Sequence, residues 1–109
     1  MTVSTHVLDA STGQPATGVA VSLAFAGPSG SWAAVESGET DGDGRHRFGT
    51  ATEPGVYRLA FATEAYFATR GVTAFYPEVT ITFTVTGSGV HYHVPLLLSP
   101  FSYSTYRGS

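Results

Sequence analysis

One eight-residue segment alternates without a fault between apolar residues and threonine: Val79-Thr80-Ile81-Thr82-Phe83-Thr84-Val85-Thr86. Successive side chains of a β-strand point to opposite faces, so the pattern predicts a strand with one apolar face and one threonine face. The same period of two recurs in residues 19–26, which carry a bulky face and a small face, and in residues 56–61. These three segments indicate an all-β chain.

Shorter or less regular strands are predicted between these segments and toward both ends of the chain. They cover residues 5–8, 32–35, 45–48, 91–98 and 102–106, and glycine or proline stands at nearly every junction. Short strands separated by turn signals at this spacing are typical of an antiparallel sandwich or barrel. Only residues 63–71 break the alternation: Thr63 can cap a helix, Glu64 comes early, Arg70 comes late and Gly71 ends the segment. We expect a helix of two turns at most there.

Composition limits the class of protein. The 109 residues predict one domain spanning 1–109, and a formal charge of −3 argues against a nucleic-acid partner. The absence of cysteine excludes disulfides and thiolate zinc sites. With 42% hydrophobic and 12% charged residues, the surface is unusually neutral, which favours a homo-oligomer that covers apolar area. The N-terminal residues do not resemble a secretory signal, no run is long enough to span a membrane, and we expect a cytoplasmic protein.

Three of the four histidines suggest chemistry. His91 and His93 stand two apart in a predicted strand and therefore share a face, whereas His46 has no supporting pattern. His6 faces away from Val3, Thr5 and Val7, which we expect in the core. The pair admits three interpretations: solvated side chains at a sheet rim, metal ligands with His6 as the third, or general acid–base catalysis. Spacing alone leaves all three open.

A glycine-rich segment, Asp41-Gly42-Asp43-Gly44, precedes Arg45. It resembles the start of a calcium loop, but Arg45 and Thr52 occupy the positions that need Asp or Asn and Glu. The better prediction is a tight hairpin turn that places Arg45 at the start of the next strand. Its guanidinium is suited to bind an enolate, carboxylate or imide oxygen, although a solvated arginine is the simpler interpretation. No phosphate loop or dinucleotide fingerprint is present, which argues against nucleotide cofactors.

Four segments together resemble the 5-hydroxyisourate hydrolase family, the transthyretin-related enzymes of urate breakdown. They are Ser4-Thr5-His6-Val7-Leu8-Asp9, Asp43-Gly44-Arg45, Phe75-Tyr76-Pro77-Glu78-Val79 and the C-terminal stretch His91-Tyr92-His93-Val94-Pro95-Leu96-Leu97-Leu98-Ser99-Pro100 with Tyr103 to Ser109. The resemblance spans the chain, and its closing Tyr-Arg-Gly-Ser is specific because transthyretin itself lacks it. Two positions depart from the family pattern: Ser102 stands where glycine is frequent, and His46 follows Arg45.

The resemblance implies a two-sheet antiparallel β-sandwich of about eight strands with one short α-helix. It also implies a homotetramer, a dimer of dimers, whose central channel holds the active sites at the dimer–dimer interface. The implied reaction is hydrolytic opening of the six-membered lactam ring of 5-hydroxyisourate, giving 2-oxo-4-hydroxy-4-carboxy-5-ureidoimidazoline. No metal or organic cofactor is implied.

The resemblance further implies the residues of the site. His6, His93 and Arg45 match the catalytic positions; His6, Arg45, Tyr106 and Ser109 are the expected substrate-binding residues. We expect His6 to help deprotonate water, Arg45 and Tyr106 to hold or polarise substrate oxygens, and His93 to orient the water or move a proton. The terminal carboxylate on Ser109 is expected to pair with Arg107 or with a site residue.

Two other classes of function remain open at this point. A transthyretin-like carrier would bind a small ligand in the channel without chemistry, and would not need His6, Arg45, His93 and Tyr106 together. A metal-dependent hydrolase would use His6, His91 and His93 as ligands.

Overall fold

The alternating segments pair into two sheets in the computed structural model, which describes residues 2–27, 29–49, 53–87 and 90–109. The first sheet contains β1 (Thr2–Asp9), β2 (Gln14–Pro15), β5 (Arg45–Phe48), β8 (His91–Leu98) and β9 (Tyr103–Thr105). The second contains β3 (Ala20–Ala26), β4 (Trp32–Glu39), β6 (Gly55–Phe61) and β7 (Val79–Val85). One helix, α1 (Thr63–Ala68), follows β6.

The two sheets pack face to face, as predicted for a β-sandwich. Val79, Ile81 and Val85 of β7 are buried, and the three threonines between them are exposed. The predicted inward residues of β1 are buried as well, and so is one alternating set of β6, in which Leu59 is 0% exposed. Burial of one such leucine side chain stabilises the fold by about 1.5–3 kcal/mol. The period-two alternation therefore identifies the core face of these strands.

Strand direction differs from the prediction at one place. The sheets are otherwise antiparallel, but β1 and β8 are parallel neighbours over their whole length, with Thr2 opposite His91 and Asp9 opposite Leu98. Alternation fixes which face a side chain occupies and carries no information about the direction of the neighbouring strand. The two-residue strand β2, beside the end of β1, was also not predicted because two residues are too short to show alternation.

The predicted helix is present, but its cap is not the predicted one. Thr63 is the first helical residue instead of the cap, and Ala62 precedes it without a side-chain capping bond. Thr63 is buried, and its hydroxyl lies 3.5 Å from the carbonyl oxygen of Tyr76. The helix is held to β1 by Tyr66, whose hydroxyl donates to Asp9 Oδ2 at 2.9 Å. In the described part of the chain, no helix has the length and apolar character required to cross a membrane.

Candidate active site

The candidate residues come together because β1 lies between β5 and β8. His6 is opposite Arg45 on one side of β1, and Ser4 is opposite His93 on the other. Residues directly opposite one another in a sheet project to the same face. Ser4 and His6 alternate with the buried Val3, Thr5 and Val7, so they project from the outer face of the first sheet. Three strands that are distant in sequence thus bring His6, Arg45 and His93 to one surface.

A tight turn positions Arg45 at the start of β5. Asp41 Oδ1 accepts hydrogen bonds from the backbone N–H of Asp43 at 2.9 Å and of Arg45 at 3.0 Å. These bonds hold the pKa of the Asp41 carboxyl below its ordinary value, and the charge on Arg45 adds to the effect. Gly44 is required here, because its φ is +76° and a Cβ would lie 2.4 Å from the carbonyl oxygen of Val7. The turn was predicted correctly, but the pairing of the two strands that flank it was not.

The predicted hairpin does not form, because β4 and β5 belong to different sheets. β4 pairs with β3, and β5 pairs with β1. Local sequence specifies a turn, but the sheet that the next strand joins depends on distant residues. The turn therefore leads the chain from one sheet to the other and delivers Arg45 beside His6.

A short hydrogen-bonded network holds both histidines of β8. Ser4 Oγ lies 2.8 Å from His91 Nε2 and 2.8 Å from His93 Nδ1, and Thr2 Oγ1 contacts His91 Nδ1. The two rings are stacked with centroids 6.5 Å apart. A serine has one proton to donate, so at most one of the two ring nitrogens accepts it and the other donates. None of the residues that the structure describes bonds to His93 Nε2, so this nitrogen remains for a ligand.

His93 is kept neutral by its surroundings. Burial lowers the pKa of His93 below its ordinary value of 6.5, and the positive charges of Arg45, His6 and His91 lower it further. A lowered histidine pKa means that the neutral ring predominates at pH 7. A neutral imidazole in this position is able to accept a proton.

A cavity of about 370 Å³ lies over this network. Its walls come from β1, β5, β8, the turn before β5 and the C-terminal residue: Ser4, Thr5, Asp41, Arg45, His46, Arg47, His91, His93 and Ser109. Arg45, His93 and Ser109 of the predicted set therefore line one cavity. His6 lies beside it, opposite Arg45 on β1 and near enough to lower the pKa of His93.

Tyr106 is placed differently from the other predicted residues. It borders a second cavity of about 140 Å³ together with Tyr92, Thr105 and Arg107, and His93 lines both cavities. Its side chain is 59% exposed. Arg107 lies over the ring of Tyr92 at 4.8 Å, and among the described residues no ion pair joins it to the C-terminal carboxylate. Contact between Tyr106 and substrate remains a prediction.

Residues of the site that sequence interpretation missed are Ser4, Arg47 and His46. Ser4 and Arg47 were detectable in principle, because each stands two positions from a predicted site residue on the same strand. His46 instead crosses to the second sheet: its Nε2 lies 3.9 Å from Glu36 Oε2, and its ring would clash with any Cβ at Gly38. No sequence signal indicates that contact. Across the described part of the chain, no three histidine, aspartate or glutamate side chains form a group that could hold a metal ion.

A two-sheet β-sandwich of this topology, with histidines and arginines on the outer face of one sheet, defines a transthyretin-like protein. The fold closely matches transthyretin from Sparus aurata, with a TM-score of 0.90 and 36% identity over 97% of this chain and 95% of that one. The chain belongs to the HIUase/Transthyretin family, whose sequence model matches residues 3–108.

Relatives within the family include proteins named 5-hydroxyisourate hydrolase. The Salmonella typhimurium protein is 44% identical over 98% of this chain and 80% of its own length. The Mus musculus protein is 45% identical over 98% of this chain and 94% of its own. The structure of Klebsiella pneumoniae 5-hydroxyisourate hydrolase matches with a TM-score of 0.88 and 39% identity, covering 100% of both chains. Because hydrolases and a transthyretin share the fold, the fold alone does not separate enzyme from carrier.

Proposed function

We propose that this protein hydrolyses 5-hydroxyisourate by opening its six-membered lactam ring, with water as the nucleophile. The product is 2-oxo-4-hydroxy-4-carboxy-5-ureidoimidazoline. The proposal is supported by the relatives that bear the name of this hydrolase over nearly the full length of the chain. It assigns His6, His93 and Arg45 to catalysis, and Tyr106 and Ser109 to substrate binding with His6 and Arg45.

The single observation that carries the proposal is the convergence of His6, Arg45 and His93 on one sheet face. They come from β1, β5 and β8, and both Arg45 and His6 act electrostatically on His93. A carrier requires a shaped cavity but does not require a neutral imidazole beside a guanidinium. Hydrolysis of a lactam requires two groups. One, here an imidazole, accepts a proton from water, and the other, here the guanidinium, stabilises the developing oxyanion.

The chemistry proceeds through addition and ring opening. The imidazole of His6, in our assignment, takes a proton as the water oxygen bonds to the lactam carbonyl carbon. The charge that develops on the carbonyl oxygen is stabilised by Arg45. The carbon–nitrogen bond then breaks, the departing nitrogen takes a proton from an imidazolium, and a carboxylic acid remains that ionises at neutral pH. In this scheme His93 orients the water or moves the proton, and each acid–base contribution is worth roughly 10²–10⁴ in rate.

The decisive experiment measures the decay of 5-hydroxyisourate generated by urate oxidase, followed by absorbance with and without the protein. We expect acceleration by the wild-type protein and a loss of at least ~10² in His6→Ala or His93→Ala. The matched control is Thr82→Ala, an exposed substitution on β7 of the other sheet. Full turnover by either histidine variant would refute the assignment of that residue.

A carrier function is the second candidate, favoured only by the shared fold with transthyretin. It predicts saturable ligand binding without any acceleration of 5-hydroxyisourate decay. The metal-dependent alternative predicts loss of turnover after chelation and recovery with zinc. The same assay therefore separates all three functions.

We also propose a homotetramer built as a dimer of dimers, in which the outer face of the first sheet lines a channel at the dimer–dimer interface. Apolar and aromatic exposure on β8, on β9 and in the turn between them supports assembly: Leu97 is 36% exposed, Tyr103 41% and Phe101, in the turn, 67%. Sedimentation velocity on the full chain tests this, and a monomer at micromolar concentration would contradict it. One domain over 1–109 and a cytoplasmic location remain our predictions.

A further inference from the structure

The arginines of the chain fall into two groups. Three have guanidiniums that lie over aromatic rings, at centroid distances of 4.2 Å for Arg58 on Trp32, 3.8 Å for Arg70 on Tyr66 and 4.8 Å for Arg107 on Tyr92. The other two, Arg45 and Arg47, have no side-chain hydrogen bond, ion pair or ring contact with any residue that the structure describes. Both line the site cavity. Among the described residues, the two guanidiniums that make no such contact therefore lie in the same cavity.

Arg47 lies on the same side of β5 as Arg45. The two are two residues apart on the strand, so their Cα atoms are about 6.8 Å apart. Arg45 is opposite His6, and Arg47 is opposite Ser4, the residue whose hydroxyl lies 2.8 Å from His93 Nδ1. The cavity thus presents one permanent positive charge in the row of His6 and a second in the row of Ser4 and His93. Such a spacing suits two separate oxygens of a small two-ring molecule.

Ring opening creates a charge that the substrate does not have. Hydrolysis converts the lactam carbonyl carbon into a carboxylate, and that carbon is the one attacked beside the histidines. A carboxylate accepts two parallel N–H bonds from a guanidinium, the strongest neutral-pH recognition that a side chain offers this group. Arg45, which stabilises the former carbonyl oxygen during addition, leaves the oxygen delivered by water for a second donor.

We propose that Arg47 is a second anion-binding residue of the site. After ring opening it binds the carboxylate oxygen that water delivered, while Arg45 keeps the former carbonyl oxygen of the same carboxylate. The inference rests on the proposed hydrolase function, since it assumes a lactam substrate. Arg47 is here a substrate- and product-binding residue, and it takes no proton. The ligand class that the subsite accepts is a five-membered cyclic ureide or imide that carries a carboxylate.

The test uses two stable probes that differ in that carboxylate: hydantoin-5-acetate and hydantoin. Their dissociation constants are measured by titration calorimetry, which does not depend on turnover, for the wild-type protein, Arg47→Gln and Arg47→Lys. Arg58→Gln is the matched control, because Arg58 lies on the second sheet over Trp32 and its loss changes the net charge equally. Circular dichroism confirms that each variant is folded.

We expect the wild-type protein to bind hydantoin-5-acetate at least tenfold more tightly than hydantoin. That preference should fall about tenfold in Arg47→Gln, recover in part in Arg47→Lys and stay unchanged in Arg58→Gln. An equal preference in wild type and Arg47→Gln, or no preference in wild type, would overturn the inference. If Arg47→Gln does not fold, the measurement on Arg47→Lys decides the question. A lysine ammonium is a point charge without the planar fork of a guanidinium, so the preference for hydantoin-5-acetate must still weaken in this variant. Failure of the proposed function would be detected in a separate measurement, the absorbance assay, in which the wild-type protein would leave the decay of 5-hydroxyisourate unchanged.

Discussion

Gly108→Ala perturbs the position of His93 without replacing any residue assigned to catalysis. Gly108 donates its backbone N–H to the carbonyl oxygen of His93 at 2.8 Å, which brings the C-terminal segment against the His93 side chain. A Cβ built on Gly108 would lie 2.5 Å from Cδ2 of His93, 3.1 Å from Cγ and 3.2 Å from Cβ. Three atoms of one residue are crowded at once, so rotation of the ring alone does not relieve the contact.

The displacement sets the size of the expected effect. Carbon atoms in favourable contact are about 3.5–4.0 Å apart, so the His93 ring or the C-terminal segment must move by about 1 Å. A movement of this size disturbs the 2.8 Å contact between Ser4 Oγ and His93 Nδ1 that orients the ring. Misplacement of a reacting group by 1 Å can cost about 10²-fold in rate. We therefore expect kcat/KM to fall about 100-fold, whereas the unfolding free energy changes by less than about 1 kcal/mol.

The assay is the decay of 5-hydroxyisourate, combined with urea unfolding of the same preparations. Gly49→Ala is the control, because a Cβ at Gly49 meets nothing within 4 Å. It should behave like the wild-type protein in both measurements. If Gly108→Ala retained wild-type kcat/KM, the position of His93 would not matter for turnover, and the reasoning would be refuted. A parallel loss of stability and activity would also count against it, since the effect would then be general unfolding.

Three further predictions concern pH, stability and metals. Arg45→Gln raises the pKa of His93, because Arg45 is one of the charges that lower it. His93 must be neutral to accept and pass on a proton, so in that role it moves the acidic limb of the kcat/KM profile to higher pH. Tyr66→Phe removes the donor to Asp9 Oδ2 and lowers the unfolding free energy by about 1–2 kcal/mol at pH 7. Hydrogen bonds from Ser11, Tyr66 and Thr12 outweigh burial and hold the pKa of Asp9 below 3.8, so this loss shrinks as the pH falls below 3.8 in urea unfolding. Dialysis against EDTA leaves the decay of 5-hydroxyisourate unchanged, because the described residues contain no group of three metal ligands.

Matched variants make these outcomes decisive. Arg58→Gln removes the same charge without approaching His93, and its acidic limb should coincide with that of the wild-type protein. Tyr103→Phe removes a hydroxyl from an exposed strand and should leave stability nearly unchanged. An acidic limb that does not move in Arg45→Gln, or equal stability of Tyr66→Phe and the wild-type protein, contradicts the corresponding prediction. Loss of turnover in EDTA with recovery in zinc favours the metal-dependent alternative.

The strand faces were predictable because they depend on local periodicity. The faultless alternation from Val79 onward becomes β7, and residues 45–48 and 91–98 become strands with the predicted bounds. In β1 the predicted outward position of His6 is confirmed, since Val3, Thr5 and Val7 are all buried. The helix was predicted from its composition, but its cap was wrong because Thr63 is used to contact Tyr76 from inside the fold.

The individual residues of the site were predictable, but their arrangement relative to one another was not. The C-terminal motif and the segment around Arg45 indicated which side chains to consider, but no local pattern indicated which of them meet. Parallel pairing of β1 with β8 places Ser4 beside His93, and pairing of β1 with β5 places His6 beside Arg45. Tyr106 was grouped with these residues; in the single chain it borders the smaller cavity, which His93 also lines, and its contact with substrate stays a prediction.

The sequence by itself determined an all-β chain, the inward face of each long strand and the candidate residues of the site. These properties follow from alternation and residue chemistry, which act over a few neighbouring positions. The tertiary structure decided the direction of the strands and the sheet that β5 joins. It also decided which residues surround Arg47, which lines the same cavity as Arg45 and His93. Those properties depend on pairings between residues that are 39 to 89 positions apart. Such pairings are chosen by the burial of the whole core, and no short stretch of sequence encodes them.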